Sequence, residues 1–353
     1  MKIVKVDDAW SGPGDKDGVI TAIKPADNGW QDPGSKFYGE WWYFDARLSD
    51  GHAVVGFIQA SELLTRKPGV ELHIYKPSGE KISSVQKYSS FKAAKDCCDA
   101  KVADCWCRGE YPSDGGLPTY RLFIRQDGME ADLTFESEVP GWMPGKGRSN
   151  FGDKGYMSWV VAVPRSKVSG TVKFEGKTLE ASGIGYHDHN VVTADMRRII
   201  SYWYWGRLYT DDYTLLYAYV KTQKAYGGHA SKPLMLARGS EVVLSSGEMK
   251  LTEGQKVWND VAHRDYPDAL RLDIPNQVSL DLQVRKIIDA HDLLDDINPI
   301  LMNKVVRAGV NKFVGRPGWF RFNSDFKLRV KPSDGGDWEE RNGTTLHEMV
   351  ALQ

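Results

Sequence analysis

The sequence predicts an all-β, mainly antiparallel protein with two domains. Short runs rich in β-branched and aromatic residues recur along the chain and are separated by Gly, Pro and Asp turn signals, a pattern typical of antiparallel sandwiches and barrels. The 353 residues exceed the length at which a single core usually stops growing. We therefore expect one β domain at residues 1–170 and a second at residues 171–353.

The first well-defined element follows a lead-in rich in Gly, Pro and Asp. Residues 40–48 and 52–58 are apolar runs on either side of Ser49-Asp50-Gly51, a turn signal that favours a β-hairpin. The same criteria predict further strands of the first domain at residues 70–75, 120–125, 129–136, 155–164, 169–174 and 179–185.

The second half continues the strand pattern and contains one exception. Between Asp289 and Phe313, apolar residues recur every three to four positions, which predicts an amphipathic helical insertion with a break at Pro299. Strands are predicted around it at residues 213–221, 232–237, 242–245, 247–251, 270–274, 278–285, 319–330 and 344–352.

Composition and charge exclude several classes of partner. Forty-six basic residues against 47 acidic ones give a net charge of −1 with no basic block, which disfavours nucleic acid and anionic membranes. No run of 18 uncharged apolar residues predicts a transmembrane segment, and the N-terminus lacks the apolar part of a signal peptide. We expect a cytoplasmic protein whose partner is a small molecule or another protein. The sequence does not indicate an oligomeric state.

All four cysteines fall within eleven positions, at Cys97, Cys98, Cys105 and Cys107. Their spacing does not match the paired C-x2-C pattern of structural zinc sites. We therefore expect thiols that are inert or locally redox-active, with a metal or disulfide clip as the alternative.

The densest group of reactive side chains is Tyr186-His187-Asp188-His189-Asn190. On a strand, the two-residue period places Tyr186, Asp188 and Asn190 on one face and the two histidines on the other. A metal bound by the histidines, with His73 or Glu40 as a third ligand, is conceivable. The chain has no H-x-x-x-H or H-E-x-x-H motif, however, so we predict no metal site.

A second notable run is Tyr202-Trp203-Tyr204-Trp205-Gly206-Arg207. Its alternation places both tryptophans and the arginine on one face, which suggests an aromatic wall with a cation at its edge. Because the chain holds 12 tryptophans, an aromatic-lined cavity for a large apolar ligand is the simplest interpretation.

Five motifs together resemble the carotenoid 1,2-hydratase (hydroxyneurosporene synthase) and AttH-like family, in the right order over most of the chain. They are Glu40–Asp45, Gly141–Gly145, Gly185–Asn190, Trp203–Arg207 and Phe320–Phe322. The resemblance implies two lipocalin-like (calycin) barrels, an apolar polyene or polyketide as ligand, and no redox or nucleotide cofactor. It extends to the fungal decalin-forming Diels–Alderases. The chain departs from the hydratases at Met157, where they commonly carry His, and at Val191-Val192, where they carry Trp-Gly.

The motifs and the chemistry lead to an enzyme hypothesis. Protonation of an alkene needs a neutral carboxylic acid, which a buried Asp can supply, and aromatic faces stabilise the resulting carbocation. The resemblance gives the acid role to Asp188, with Tyr186 and His187 beside it. Substrate-binding residues are predicted to be Glu40, Trp42, His73, Trp159, His189, Asn190, Trp203, Trp205 and Arg207.

The predicted reaction is hydration or acid-initiated cyclisation of a C=C bond in a terpenoid, carotenoid or polyketide. Two alternatives remain. A pericyclase would fold a polyene in the cavity, where orientation supplies most of the rate. A non-catalytic carrier would hold the same kind of apolar ligand unchanged.

Overall fold

Two antiparallel sheets contain nearly all the regular structure of the described residues. The computed structural model describes residues 3–10, 22–31, 33–35, 37–62, 65–294, 315–332 and 335–353. Helical structure in these ranges is limited to 3-10 turns at Pro25–Asn28, Gly152–Lys154 and Lys224–Tyr226 and a short α-helix, α1, at Met196–Ile199. The all-β, antiparallel prediction is therefore confirmed.

The N-terminal sheet contains twelve strands in the described part of the chain. Its main path runs β4-β3-β2-β1-β12-β11-β9-β8-β7-β6-β5, and β10 pairs with β11. The strands are β1 (Gly39–Leu48), β2 (Ala53–Ser61), β3 (Gly69–Tyr75), β4 (Lys81–Lys87), β5 (Lys92–Ala93), β6 (Asp99–Val102), β7 (Cys105–Glu110), β8 (Thr119–Gln126), β9 (Met129–Ser137), β10 (Arg148–Asn150), β11 (Tyr156–Phe174) and β12 (Lys177–Val192).

This sheet curls around one core. Leu72 of β3 and Cys107 of β7 stand far apart in the strand order, yet both belong to the same buried cluster. Trp42 and Phe44 of β1 also point into this core. The inner face of the sheet is therefore apolar and the opposite face carries the remaining side chains of each strand.

The C-terminal sheet has ten strands among the described residues, with a separate two-stranded ribbon of β19 and β20. Its path runs β17-β16-β14-β13-β24-β23-β22-β21-β18, and β15 pairs with β14. The strands are β13 (Ile200–Tyr209), β14 (Tyr213–Thr222), β15 (Ala230–Ser231), β16 (Leu234–Arg238), β17 (Glu241–Ser246), β18 (Lys250–Glu253), β19 (Lys256–Asn259), β20 (Arg264–Pro267), β21 (Ala269–Ile274), β22 (Val278–Asp292), β23 (Gly318–Val330) and β24 (Glu339–Ala351).

The second sheet also encloses its own core. Leu236 of β16 and Leu272 of β21 come from opposite ends of the strand order and lie in one buried cluster with Tyr204 and Phe322. Each sheet therefore buries a separate apolar interior, as expected for two domains.

The main boundary between the two compact units lies after residue 170, at Asp195. One unit consists of Asp7–Asp195 with Gly239–Val242, and the other of Met1–Val6, Met196–Arg238 and Val243–Gln353. The difference from the sequence prediction arises from β12, which hydrogen-bonds between β1 and β11 and so belongs to the first sheet. Sequence spacing alone does not reveal this long-range pairing.

Two local predictions from the sequence differ from the structure in detail. Residues 155–164 and 169–174 form the single strand β11, whose pairing with β12 shifts register between Val160 and Ser166, around Pro164. Proline cannot donate a ladder hydrogen bond and is tolerated at such irregularities. Residues 289–292 of the predicted helical insertion are the end of β22, and residues 295–313 lie outside the described residues.

Within the described ranges, no helix has the length and apolar character needed to cross a membrane.

Candidate active site

Asp188 lies near the C-terminal end of β12 and accepts three hydrogen bonds from side chains of its own unit. The hydroxyl of Tyr186 and Nε1 of Trp159 donate to Oδ2 at 2.7 and 3.0 Å, and Nδ2 of Asn190 donates to Oδ1 at 2.8 Å. The four residues are buried, with Asp188 only 6% exposed. We call Tyr186, Asp188, Asn190 and Trp159 the Asp188 cluster.

The cluster is assembled by strand alternation and register. Tyr186, Asp188 and Asn190 are spaced by two along β12 and so share one face, as the sequence predicts. Trp159 of β11 stands directly opposite Asn190 in the register. Its indole N–H can therefore reach the carboxylate across the strand pair.

The hydrogen bonds set the orientation of the Asp188 carboxyl group, and its surroundings act on its charge. Both oxygens are held, so the plane of the group is set by its neighbours. The three donors stabilise the carboxylate form, whereas burial stabilises the neutral acid. Burial and hydrogen bonding therefore act on this carboxyl in opposite directions.

The neighbouring strand β1 adds three side chains to the same face. Tyr43 is the register partner of Asp188, Trp41 that of Asn190, and Asp45 that of Tyr186. The Tyr43 hydroxyl donates to Oδ2 of Asp45 at 2.7 Å, and its ring centroid lies 6.1 Å from that of Tyr186. Trp41 and Tyr43 are partly exposed, so the Asp188 cluster borders an aromatic surface.

Sequence reasoning did not identify Trp41, Tyr43 or Asp45 as site residues. The signal was the alternation within Glu40-Trp41-Trp42-Tyr43-Phe44-Asp45, but both faces of that strand are aromatic. Only the pairing with β12 shows which face carries Asp188.

His187 lies on the opposite, inner face and does not accompany Asp188. Its ring stacks on Phe44 with centroids 3.9 Å apart, its Nδ1–H donates to the backbone oxygen of Tyr43 at 2.9 Å, and its Nε2 accepts from Nδ2 of Asn28 at 2.9 Å. Because the ring is fully buried, its pKa falls from 6.5 to about 3. The structure therefore gives His187 the environment of a neutral core residue.

His189 is also on the inner face, with a different set of partners. Its Nδ1 contacts the backbone oxygen of Asp27 at 3.2 Å and its Nε2 contacts Oε1 of Glu40 at 2.9 Å. Both contacts are to oxygen atoms, and the His189 ring and the Glu40 carboxyl are buried together. Glu40 also accepts from the Tyr38 hydroxyl and from the Gln31 backbone at 2.9 Å.

The remaining predicted substrate-binding residues are distributed over several locations. Trp42 is fully buried in the core, stacked on His189 at 4.8 Å, so it does not share the face of Asp188. His73 is three strands along the sheet from β12, about 14 Å at the usual strand spacing, and bonds Ser83 and Glu71.

The aromatic run belongs to β13 in the other compact unit. The guanidinium carbon of Arg207 lies 5.2 Å from the ring centroid of Trp205 and 5.9 Å from that of Tyr209. Trp203 and Trp205 are partly exposed, and Arg207 is buried. The predicted combination of an aromatic face with one cation is present within this strand.

The ligand sets needed for a metal are not found in the described ranges, where no group of three or more His, Cys, Asp or Glu side chains is placed to hold an ion. The four ring nitrogens of His187 and His189 have protein partners instead. The four cysteines are free thiols, and Sγ of Cys98 lies 3.8 Å from Sγ of Cys107. Burial raises the pKa of the Cys98 thiol, which keeps it protonated.

Comparison with known proteins places the chain in a family. The family described as AttH-like matches residues 78–298, more than half of the sequence. The chain belongs to the AttH-like family. This match confirms the family resemblance drawn from the motifs.

Solved structures share the fold over the whole chain. An AttH protein from Nitrosomonas europaea matches with a TM-score of 0.60 at 15% identity, covering 100% of both chains. CghA in complex with Sch210972 matches with a TM-score of 0.65 at 12% identity, covering 100% of this chain and 99% of CghA. Kievitone hydratase from Nectria haematococca matches with a TM-score of 0.61 at 14% identity, covering 99% of this chain and 98% of that protein. The lipocalin-like AttH fold is thereby established for this chain.

A curated relative supports the same assignment over a shorter stretch. Hydroxyneurosporene dehydrogenase from Chlorobaculum tepidum is 34% identical over 84 residues, which is 22% of this chain and 22% of that protein.

Proposed function

We propose that this AttH-like protein is an enzyme that adds water to, or cyclises, a C=C bond of a hydrophobic polyene or terpenoid, with Asp188 as the group that gives and takes the proton. The observation that carries this proposal is a buried carboxyl group, held by three donors, on a face that also presents Trp41 and Tyr43. Membership of the AttH-like family and the fold shared with a protein named kievitone hydratase support it.

Both reactions begin with the same proton transfer. The Asp188 proton bonds to one alkene carbon with the π electrons, which leaves a carbocation on the other carbon. In hydration a water molecule adds to the cation, and its surplus proton returns to the carboxylate. In cyclisation a second C=C bond of the same molecule attacks instead, and a proton lost from the product returns.

The neighbours of Asp188 have distinct tasks in this scheme. Tyr186 and Trp159 hold Oδ2, and Asn190 holds Oδ1, so the lone pairs and the proton keep a fixed direction. The rings of Trp41 and Tyr43 flank the carboxyl on the next strand. Each aromatic face stabilises a nearby cation by about 0.5–2 kcal/mol.

The same contacts favour one second candidate, a pericyclase. Because three donors stabilise the carboxylate form, Asp188 can serve as an anchor that aligns the Tyr186 hydroxyl and the Trp159 N–H. Orientation of a folded polyene would then supply the rate. In that case the aromatic surface matters more than the proton of Asp188.

The test compares Asp188→Asn with a matched control, Asp292→Asn. Asp292 is equally buried, at 4% exposure, but lies in the other compact unit, and its carboxyl accepts from the backbone of Leu294. Each protein is incubated with a panel of acyclic terpenoid, carotenoid and polyketide polyenes. Mass spectrometry detects the gain of one water, and absorbance detects cyclisation through the shortened chromophore.

We expect Asp188→Asn to lower turnover by at least about a hundredfold, the usual contribution of a general acid, while Asp292→Asn keeps wild-type turnover. Full activity in Asp188→Asn excludes the acid role. Partial activity, combined with a larger loss in Trp159→Leu, supports the pericyclase. Recovery of every compound unchanged from the wild-type protein supports the carrier.

A further inference from the structure

The loop between β9 and β10, residues 138–147, lies along the part of β11 that carries Trp159. The pairing of β9 with β11 covers residues 166–173 of β11 and ends before Trp159. The β9–β10 loop takes the place of β9 beyond that point, because Trp142 and Val161 exchange two backbone hydrogen bonds of 2.8 Å. Trp159 therefore has β12 on one side and this loop on the other.

The loop also holds the main chain of Trp159. The backbone N–H of Trp159 donates to the backbone oxygen of Gly147 at 3.0 Å, and Oγ of Ser158 donates to the same oxygen at 2.8 Å. These bonds fix the position of the Trp159 backbone, but its indole can still turn about the side-chain torsions. The direction of the indole N–H must therefore be set by contacts of the ring itself.

Trp142 supplies such a contact from the β9–β10 loop. The ring centroids of Trp142 and Trp159 lie 5.5 Å apart and their planes are perpendicular, at 90°. Aromatic rings prefer this edge-to-face arrangement, because the positive edge of one ring meets the negative face of the other. Trp142 is fully buried, so its ring is itself confined. In the orientation that this contact favours, Nε1 of Trp159 donates to Oδ2 of Asp188 at 3.0 Å.

The loop packs closely against the N-terminal segment of the chain. Gly145 has a positive φ of 51°, and a Cβ at this position would lie 2.0 Å from the backbone oxygen of Ala9. The backbone N–H of Lys146 donates to the same oxygen at 2.9 Å. The Gly141–Gly145 motif, which has no part in the function proposed above, is thus a closely packed support for Trp142.

We propose that Trp142 is a positioning residue, which aims the indole N–H of Trp159 at the carboxyl group of Asp188. Without Trp142 the indole can leave this orientation, and Tyr186 then remains as the side chain that donates to Oδ2. The effect on turnover rests on the function proposed for Asp188. The effect on the Trp159 hydrogen bond does not, so the two can be tested separately.

The first measurement follows the indole N–H of Trp159 by NMR of the full chain labelled with ¹⁵N-tryptophan, its signal assigned through Trp159→Phe. In the wild-type protein this N–H should exchange with solvent far more slowly than that of Trp258, which is 45% exposed. In Trp142→Leu the exchange should be at least about tenfold faster. Trp142→Phe keeps an aromatic edge but fills less space, so its rate should lie between the two.

The matched control is Trp30→Leu. Trp30 makes an equivalent edge-to-face contact in the same unit, with its ring centroid 5.3 Å from that of Phe91 and the planes at 90°. This variant should leave the Trp159 signal unchanged. The second measurement is turnover of any polyene that the wild-type protein converts. In Trp142→Leu, kcat should fall by about two- to tenfold with little change in KM, as expected for one hydrogen bond, and Trp142→Phe should recover part of the loss.

An unchanged Trp159 exchange rate in Trp142→Leu, or an equal change in Trp30→Leu, overturns the positioning role. If Trp142→Leu does not fold, Trp142→Phe decides, because a wild-type exchange rate in that variant overturns the role as well. A changed Trp159 signal supports the role even where the wild-type protein converts no compound of the panel. That combination would count against the function proposed for Asp188 alone.

Discussion

We expect His187 to make the stability of the N-terminal unit sensitive to acid. Its Nδ1–H donates to the Tyr43 backbone oxygen, so Nε2 must accept, and the group facing it is the donor Nδ2 of Asn28. A proton on Nε2 would place two donors against each other in a fully buried site. Burial is the main cause of a pKa lowered to about 3, and the neighbouring His189 adds to it.

The size of the effect follows from the two pKa values. Between pH 6.5 and 3 the unfolded chain binds one more proton at this ring than the folded chain, so the free energy of unfolding falls as the pH drops. At pH 5 the unfolded ring is almost fully protonated and the folded ring is not. The loss from pH 7.5 to pH 5 is then about 2 kcal/mol for this residue alone.

Urea unfolding of the wild-type protein and of His187→Gln, at pH 7.5, 6.5, 5.5 and 5.0, isolates this contribution. Glutamine loses the stack on Phe44, so the variant should be less stable at pH 7.5. It has no ring to protonate, so the gap between the two proteins should shrink by about 2 kcal/mol at pH 5. A gap that stays constant over this range refutes the argument. His347, which is buried in the other unit with its pKa also lowered to about 3, offers an independent repeat through His347→Gln.

Two further predictions concern the contacts that hold β12 in place. Glu40→Ala leaves Nε2 of the buried His189 without its 2.9 Å partner, so we expect a loss of about 1–3 kcal/mol in urea unfolding, and Glu80→Ala, at an exposed glutamate, should change little. Gly183→Ala would place Cβ 2.0 Å from the backbone oxygen of Arg47, so β1 and β12 must separate there, at a cost of about 1–3 kcal/mol in the same assay; wild-type stability in that variant would contradict the close approach.

The strands were predictable because their signals are local. The Asp50-Gly51 turn and the alternating runs around it gave a hairpin, and β1 and β2 form it. The boundary after residue 170 differed because β12 is placed by pairing with β1, more than 130 positions earlier in the chain. No local pattern reports such a pairing.

Only part of the candidate site could be predicted, because local sequence signals show which residues share a face but not which face meets the core. Alternation along β12 separated Asp188 from both histidines, and the structure shows that separation. The structure places Trp41 on the face of Asp188 and Trp42 in the core. The sequence did not show this, because both faces of β1 carry aromatic rings and the side facing the core depends on how the sheet curls. That information lies in tertiary packing.

The two faces of β12 give their side chains different surroundings, and we expect them to differ in their effects on stability and on turnover. On the inner face, a neutral His187 and a paired His189 satisfy every ring nitrogen and so behave as parts of the core. On the outer face, Asp188 accepts hydrogen bonds from Tyr186, Trp159 and Asn190. Because successive residues point in opposite directions, a substitution at 187 should act on unfolding and one at 188 on turnover. This division is a direct consequence of placing the reactive stretch on a strand.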